Sequence, residues 1–88
     1  MAVTSAQVRM ARAALNWTVR DLAKAAGLHR NTITNIEVGR YTGDPSTLAV
    51  IESVLKNAGI IFIEENGGGP GVRLRKHPRS KQIVRFKP

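Results

Sequence analysis

Ile36 comes only nine residues after Gly27, so the chain leaving this glycine has room for one short helix. Upstream, Trp17-Thr18-Val19-Arg20-Asp21-Leu22 reads as a helix start: Thr18 is the N-cap, Asp21 a weaker capping-box partner, and Trp17 a staple onto Leu22. That helix runs to Ala26, and Gly27 supplies the left-handed backbone that ends it and turns the chain sharply. The next helix is expected from about Arg30 to Glu37, with His29 a poor cap that leaves its first residue open. Two short helices at a tight turn need a small residue where they cross, a turn-former between them, and apolar residues beneath the second. Ala23, Gly27, and then Leu28, Ile33 and Ile36 meet those needs.

The flanking segments carry comparable signals. Thr4 is an N-cap with Gln7 closing its capping box and Val3 stapled to Val8, and Val8, Ala11 and Leu15 mark one face of a first helix. Val38 to Gly43 reads as a loop, after which Asp44-Pro45-Ser46 opens a fourth helix with Leu48, Ile51, Val54 and Leu55 as its buried stripe. Past Gly59, Ile60 to Glu65 and Val72 to Lys76 flank the turn-rich Asn66-Gly67-Gly68-Gly69-Pro70-Gly71 and read as a β-hairpin. With Glu65 opposite Val72, Ile60 and Phe62 share one face, and Ile61, Ile63, Val72 and Leu74 the other. Residues 77–88 are basic and proline-flanked, and Lys81 to Phe86 has the pattern of a third strand. The expected organisation is mainly α: a four-helix domain over residues 1–58, a hairpin over 59–76 and a basic tail over 77–88.

Charge points to the partner. Fourteen Lys and Arg against six Asp and Glu give a formal net charge of +8, an excess that favours a polyanion such as nucleic acid over an acidic protein. Residues 1–58 carry a net +3 and residues 59–88 a net +5, so two electropositive regions are implied. The sequence has no cysteine, which excludes disulfides and thiolate metal sites and suits a reducing cytoplasm. No stretch approaches the roughly 20 apolar residues needed to span a bilayer, and the N-terminus lacks the pattern of a signal peptide. A cytoplasmic, nucleoid-associated protein without membrane contact is expected.

Two short helices joined by a tight turn can hold the second in the major groove of double-stranded DNA. At about 100° per residue, Arg30, Asn31, Thr34 and Asn35 span about 140° on one side of that helix. Thr32, Ile33, Ile36 and Glu37 occupy the other. Arg can bond guanine O6 and N7 together, and Asn adenine N6 and N7. Trp17 to Leu28, with Ile33, Ile36-Glu37 and Gly39-Arg40, resembles the Xre/Cro-type helix-turn-helix family of phage-like repressors over about residues 4–58. The resemblance implies a four-helix helix-turn-helix DNA-binding domain in which Arg30, Asn31 and Asn35 read bases, and Thr34 joins them as a candidate by its place on the same face. The resemblance places Thr18, Val19 and Arg40 at the phosphates, and the adjoining Tyr41 and Thr42 are further phosphate candidates. It also implies a structural ion pair between Arg12 and Glu37. Val19 stands where the family usually has glutamine, leaving its backbone N–H for phosphate, and His29 replaces the usual Ser or Thr cap.

Other chemistry finds little support. The Gly67 to Gly71 run lacks the Gly-Lys-Ser/Thr ending of a phosphate-binding loop and is expected to be a flexible hairpin loop. His29 and His77 have no carboxylate cluster beside them, no Ser-His-Asp arrangement is evident, and neither enzyme, metal nor cofactor is expected. So short a chain gains from oligomerisation, and a homodimer reading two half-sites roughly 34 Å apart is the leading expectation. Its rivals are an antitoxin partnered by a toxin, and an architectural nucleoid or RNA-binding protein that does not read sequence.

Overall fold

In a computed structural model, residues 3–40 and 44–75 are described. Four helices precede a two-stranded antiparallel hairpin: α1 (Ser5–Ala14), α2 (Val19–Ala26), α3 (Arg30–Glu37), α4 (Pro45–Asn57), β1 (Ile60–Ile63) and β2 (Gly71–Leu74). The mainly helical fold with a terminal hairpin is therefore as the sequence implied. Tyr41, Thr42, Lys76 and the tail from His77 lie outside the described residues, and with them the expected third strand.

Each helix starts where its cap places it. Thr4 and Gln7 form a full capping box on α1, and Thr18 and Asp21 form another on α2. Asn16 takes a left-handed conformation (φ +60°) after α1, which asparagine tolerates better than most residues. Gly27 does the same after α2 (φ +69°). A Cβ at Gly27 would meet nothing within 4 Å, so the requirement for glycine there lies in the backbone angle rather than in space. Asp44 caps α4 by accepting from the Thr47 N–H and the Ser46 hydroxyl. The Thr47 N–H, then the Ser46 hydroxyl, hold its carboxyl below the usual carboxylate range. The cap is therefore charged at neutral pH, and its contribution is lost only as pH falls through that lowered value.

Val3, Val8, Ala11, Leu22, Ala23, Ile33, Ile36, Ile51, Leu55 and Ile60 form one core. α2 packs on α3 and α4, α1 packs on α3 and β2, and α4 packs on β1. Burial of Ile33 and Ile36 against this core fixes the rotation of α3, so its opposite face turns outward.

The hairpin register differs from the expectation. Phe62 pairs with Val72 and Ile63 with Gly71, whereas the sequence reading set Glu65 opposite Val72. The offset is odd, so it turns β2 over. Val72 and Leu74 now share a face with Ile60 and Phe62, and Ile60, Phe62 and Val72 meet the core. Ile61, Ile63 and Arg73 are left on the outer face. The cause is local. Glu65 leaves the strand to accept from the N–H groups of Gly67 and Gly69, and Asn66 accepts from Gly68 N–H, so the turn begins earlier than expected. Those same bonds engage the N–H groups of Gly67, Gly68 and Gly69 within the loop.

Candidate nucleic-acid interface

The outward face of α3 carries Arg30, Asn31 and Thr34 exposed and Asn35 half-buried. These are the four expected base-reading residues, and the core-side assignment of Ile33, Ile36 and Glu37 is also met, since all three are buried. Beside this face lies the start of α2. A shallow opening of about 390 Å³ is lined by Thr18, Val19, Arg20, Arg30 and Thr34, so two of the phosphate-side candidates and two of the base-side candidates border one surface.

The first turn of α2 shows which donors remain available there. Thr18 N–H donates to Asp21 Oδ2, Asp21 N–H to Thr18 Oγ1, and Leu22 N–H to the Thr18 carbonyl. Among the described residues nothing accepts from the N–H groups of Val19 and Arg20. These two point from the positive end of a helix dipole, the arrangement that favours an oxyanion. Val19, which stands where the resemblance expects glutamine, thus has a backbone N–H without an acceptor among the described residues. Arg20, exposed in the same opening, was missed by sequence reasoning, although a basic second residue in a helix beside a reading helix was a legible signal. Arg40 is exposed after α3, and its N–H donates to the Asn35 carbonyl, fixing the exit of the chain. Tyr41 and Thr42 belong to the segment outside the described residues.

Behind α3, Arg12 Nε and Nη2 donate to the two carboxylate oxygens of Glu37 at 2.7 and 2.9 Å. The bidentate bond raises the Arg12 pKa above its ordinary value against the opposing effect of burial. Arg12 Nη1 also donates to the Trp17 carbonyl, and the Arg12 carbonyl accepts from Trp17 N–H. Arg9 donates to the Glu37 carbonyl. One helix therefore holds both the last turn of α3 and the connection leading into α2.

A family profile described as helix-turn-helix matches residues 8–57. The chain belongs to the Xre/Cro-type helix-turn-helix family. No match to a curated protein accompanies it. The matched residues run from α1 to the end of α4, so the helix-turn-helix unit includes the exposed face of α3 and the opening beside it, while the hairpin lies beyond. The protein is a DNA-binding transcription regulator of a family defined by binding rather than by catalysis. Among the described residues no cluster of His, Asp or Glu could hold a metal ion, and no helix is long and apolar enough to cross a membrane.

Proposed function

We propose that the protein regulates transcription by reading a two-fold symmetric operator as a homodimer, with Arg30, Asn31, Thr34 and Asn35 at base edges in the major groove. Thr18, Val19, Arg40, Tyr41 and Thr42 meet the phosphates, and the site of action is the nucleoid. The observation that carries this reading is the outward polar face of α3, which holds arginine and two asparagines beside the free N–H groups of α2. Selection of bound duplexes from a random pool tests it. A two-fold symmetric consensus with half-sites roughly 34 Å apart is expected. Enrichment of no consensus would favour an architectural role.

Arg30→Ala and Asn31→Ala are each expected to cost about 1 to 3 kcal/mol on the preferred duplex while leaving scrambled DNA nearly unaffected. Binding titrations on both duplexes separate the cases, and equal losses would remove these residues from the reading set.

The dimer reading draws on the hairpin of residues 59–76. Ile61 and Ile63 are only half-buried on its outer face, and each strand of a two-stranded sheet has one edge free of its partner. Light scattering at micromolar concentration is expected to return twice the chain mass, and a strict monomer with and without DNA would refute the dimer. Co-purification with a partner toxin would instead assign the chain an antitoxin role.

The tail adds affinity without choosing sequence in this proposal. Arg79, Lys81, Arg85 and Lys87 lie between residues 79 and 88 with no acidic residue among them. Each that meets a phosphate steepens the dependence of log K on log salt by about one unit. Removing residues 79–88 should weaken preferred and scrambled duplexes alike and make that slope shallower. An unchanged slope in a folded dimer would assign the tail to solubility.

A further inference from the structure

Of the five asparagines in the chain, only Asn66 is followed by glycine, and the hairpin loop surrounds its side-chain amide with groups that bear on one reaction. Asn66 Oδ1 accepts from the Gly68 N–H at 3.3 Å. That bond folds the side chain along the main chain that follows, towards the Gly67 nitrogen. The Gly67 N–H in turn donates to Glu65 Oε2 at 3.0 Å, and the same oxygen accepts from the Gly69 N–H at 3.1 Å. One carboxylate oxygen is thus held against the amide proton next to the asparagine. Asn66 and Gly67 are exposed, and a Cβ at Gly67 would meet nothing within 4 Å. The approach of the Gly67 nitrogen to Asn66 Cγ is therefore open.

A main-chain nitrogen attacks the side-chain carbonyl before it only as it gives up its proton, and a peptide N–H is a very weak acid. A carboxylate that already accepts from that N–H is placed to take the proton as a general base. Charge collects on Oδ1 as Cγ becomes tetrahedral, and the Gly68 N–H stands there to receive it, as a donor in an oxyanion hole does.

We propose that Asn66 is a self-modification site, at which the hairpin converts its own asparagine to aspartate and isoaspartate. The Gly67 nitrogen forms a bond to Asn66 Cγ while its proton passes to Glu65. The Cγ–Nδ2 bond then breaks, Glu65 returns the proton to the leaving nitrogen, and ammonia departs. The five-membered imide left behind takes up water at either of its carbonyls and opens to one product or the other. Nothing is oxidised or reduced; one water enters and one ammonia leaves. Each conversion replaces a neutral amide by a carboxylate, which lowers the formal net charge from +8 to +7. Isoaspartate also adds one carbon to the main chain between residues 66 and 67, and so disturbs the spacing on which the bonds from Gly67 and Gly69 to Glu65 depend. The modification acts on the hairpin turn and stands apart from the DNA reading of α3.

Incubation of the full chain near neutral pH, followed by mass spectrometry of the tryptic fragment 57–73, reads Asn66 beside Asn57, which alanine follows and which serves as an internal control. The folded protein is expected to convert Asn66 faster than the same chain unfolded in urea, with Asn57 left intact over the same period. Glu65→Gln keeps an oxygen able to accept from Gly67 and Gly69 but removes the base. It should slow conversion about tenfold, less than an enclosed base commonly gives because the loop is open to water. Glu64→Gln removes the same charge one residue away and should convert at close to the wild-type rate.

A folded protein that converts no faster than the unfolded chain would overturn the proposal without recourse to any variant. Wild-type conversion in Glu65→Gln, or an equal slowing in Glu64→Gln, would overturn the role of Glu65 as base. Aspartate formed without isoaspartate would show that water attacks Cγ directly, and would overturn the cyclic route.

Discussion

Arg12→Ala is expected to lower the unfolding free energy by about 3 to 4 kcal/mol, because it strips a buried carboxylate of its partner. Only 6% of the Glu37 side chain is exposed, whereas Arg12 keeps 25%. Removing the arginine is therefore the harsher half of the pair, since it leaves the more deeply buried charge alone and also takes away the bond to the Trp17 carbonyl. Glu37→Ala should cost less, because the guanidinium left behind reaches water. For a domain whose whole stability is on the order of 5 to 10 kcal/mol, either loss is large. Urea titrations followed by circular dichroism give the midpoints, and the double variant Arg12→Met with Glu37→Leu should recover part of the loss because neither charge is then stranded. The raised Arg12 pKa fixes the sign of its pH dependence: its contribution is complete below the ordinary arginine pKa and fades only as pH climbs through the raised value. Alkaline conditions short of that should leave the Arg12 effect intact. A loss below 1 kcal/mol for Arg12→Ala would show that water compensates Glu37.

What the sequence made legible follows the range over which its signals act. Thr4 with Gln7, Thr18 with Asp21, Gly27, and Asp44 with Pro45 are contacts within three residues, and each set a helix end where the structure has it. The rotation of α3 was readable because Ile33 and Ile36 repeat at helical spacing, and the pairing of Arg12 with Glu37 because a family pattern supplied the partner. The hairpin register had no such local marker. Alternation fits either register, and the choice fell to the Glu65 carboxylate bonding Gly67 and Gly69 and to a glutamine more than fifty residues away in the chain. His29 was read as a weak cap because imidazole is uncommon there, yet its Nδ1 occupies the acceptor position that a hydroxyl usually fills.

That distant glutamine has a role its capping motif did not announce, and its replacement should produce the second large effect. Gln7 is buried to 1% exposure. Its Oε1 accepts from the Thr4 N–H at 3.1 Å, and its Nε2 donates to the carbonyls of Ile63 and Gly71 at 3.0 and 2.9 Å. The amide therefore fastens α1 to the last residue pair of the hairpin, two and five residues before Arg9 and Arg12 fasten the same helix to α3. Gln7→Ala removes all three bonds from a dry site and is expected to cost about 2 to 3 kcal/mol. Gln7→Glu is the sharper test, because glutamate is the commoner capping-box partner and would be neutral if capping were the whole role. Its carboxylate would keep the bond to Thr4 but turn an acceptor oxygen toward two carbonyl oxygens, at a cost of about 3 kcal/mol near neutral pH. Burial and those carbonyls favour the protonated acid, so its pKa in the folded state must lie above the unfolded value. The folded state then binds the extra proton more readily, and stability relative to wild type should return as pH falls through that raised pKa. Gln7→Ala has no proton to gain and should show no such recovery. Urea midpoints at about pH 5 and about pH 7.5 distinguish the two, with hydrogen exchange expected to rise first at the hairpin amides of both variants. A Gln7→Glu protein that tracks wild type at both pH values would confine Gln7 to capping and release the hairpin from α1.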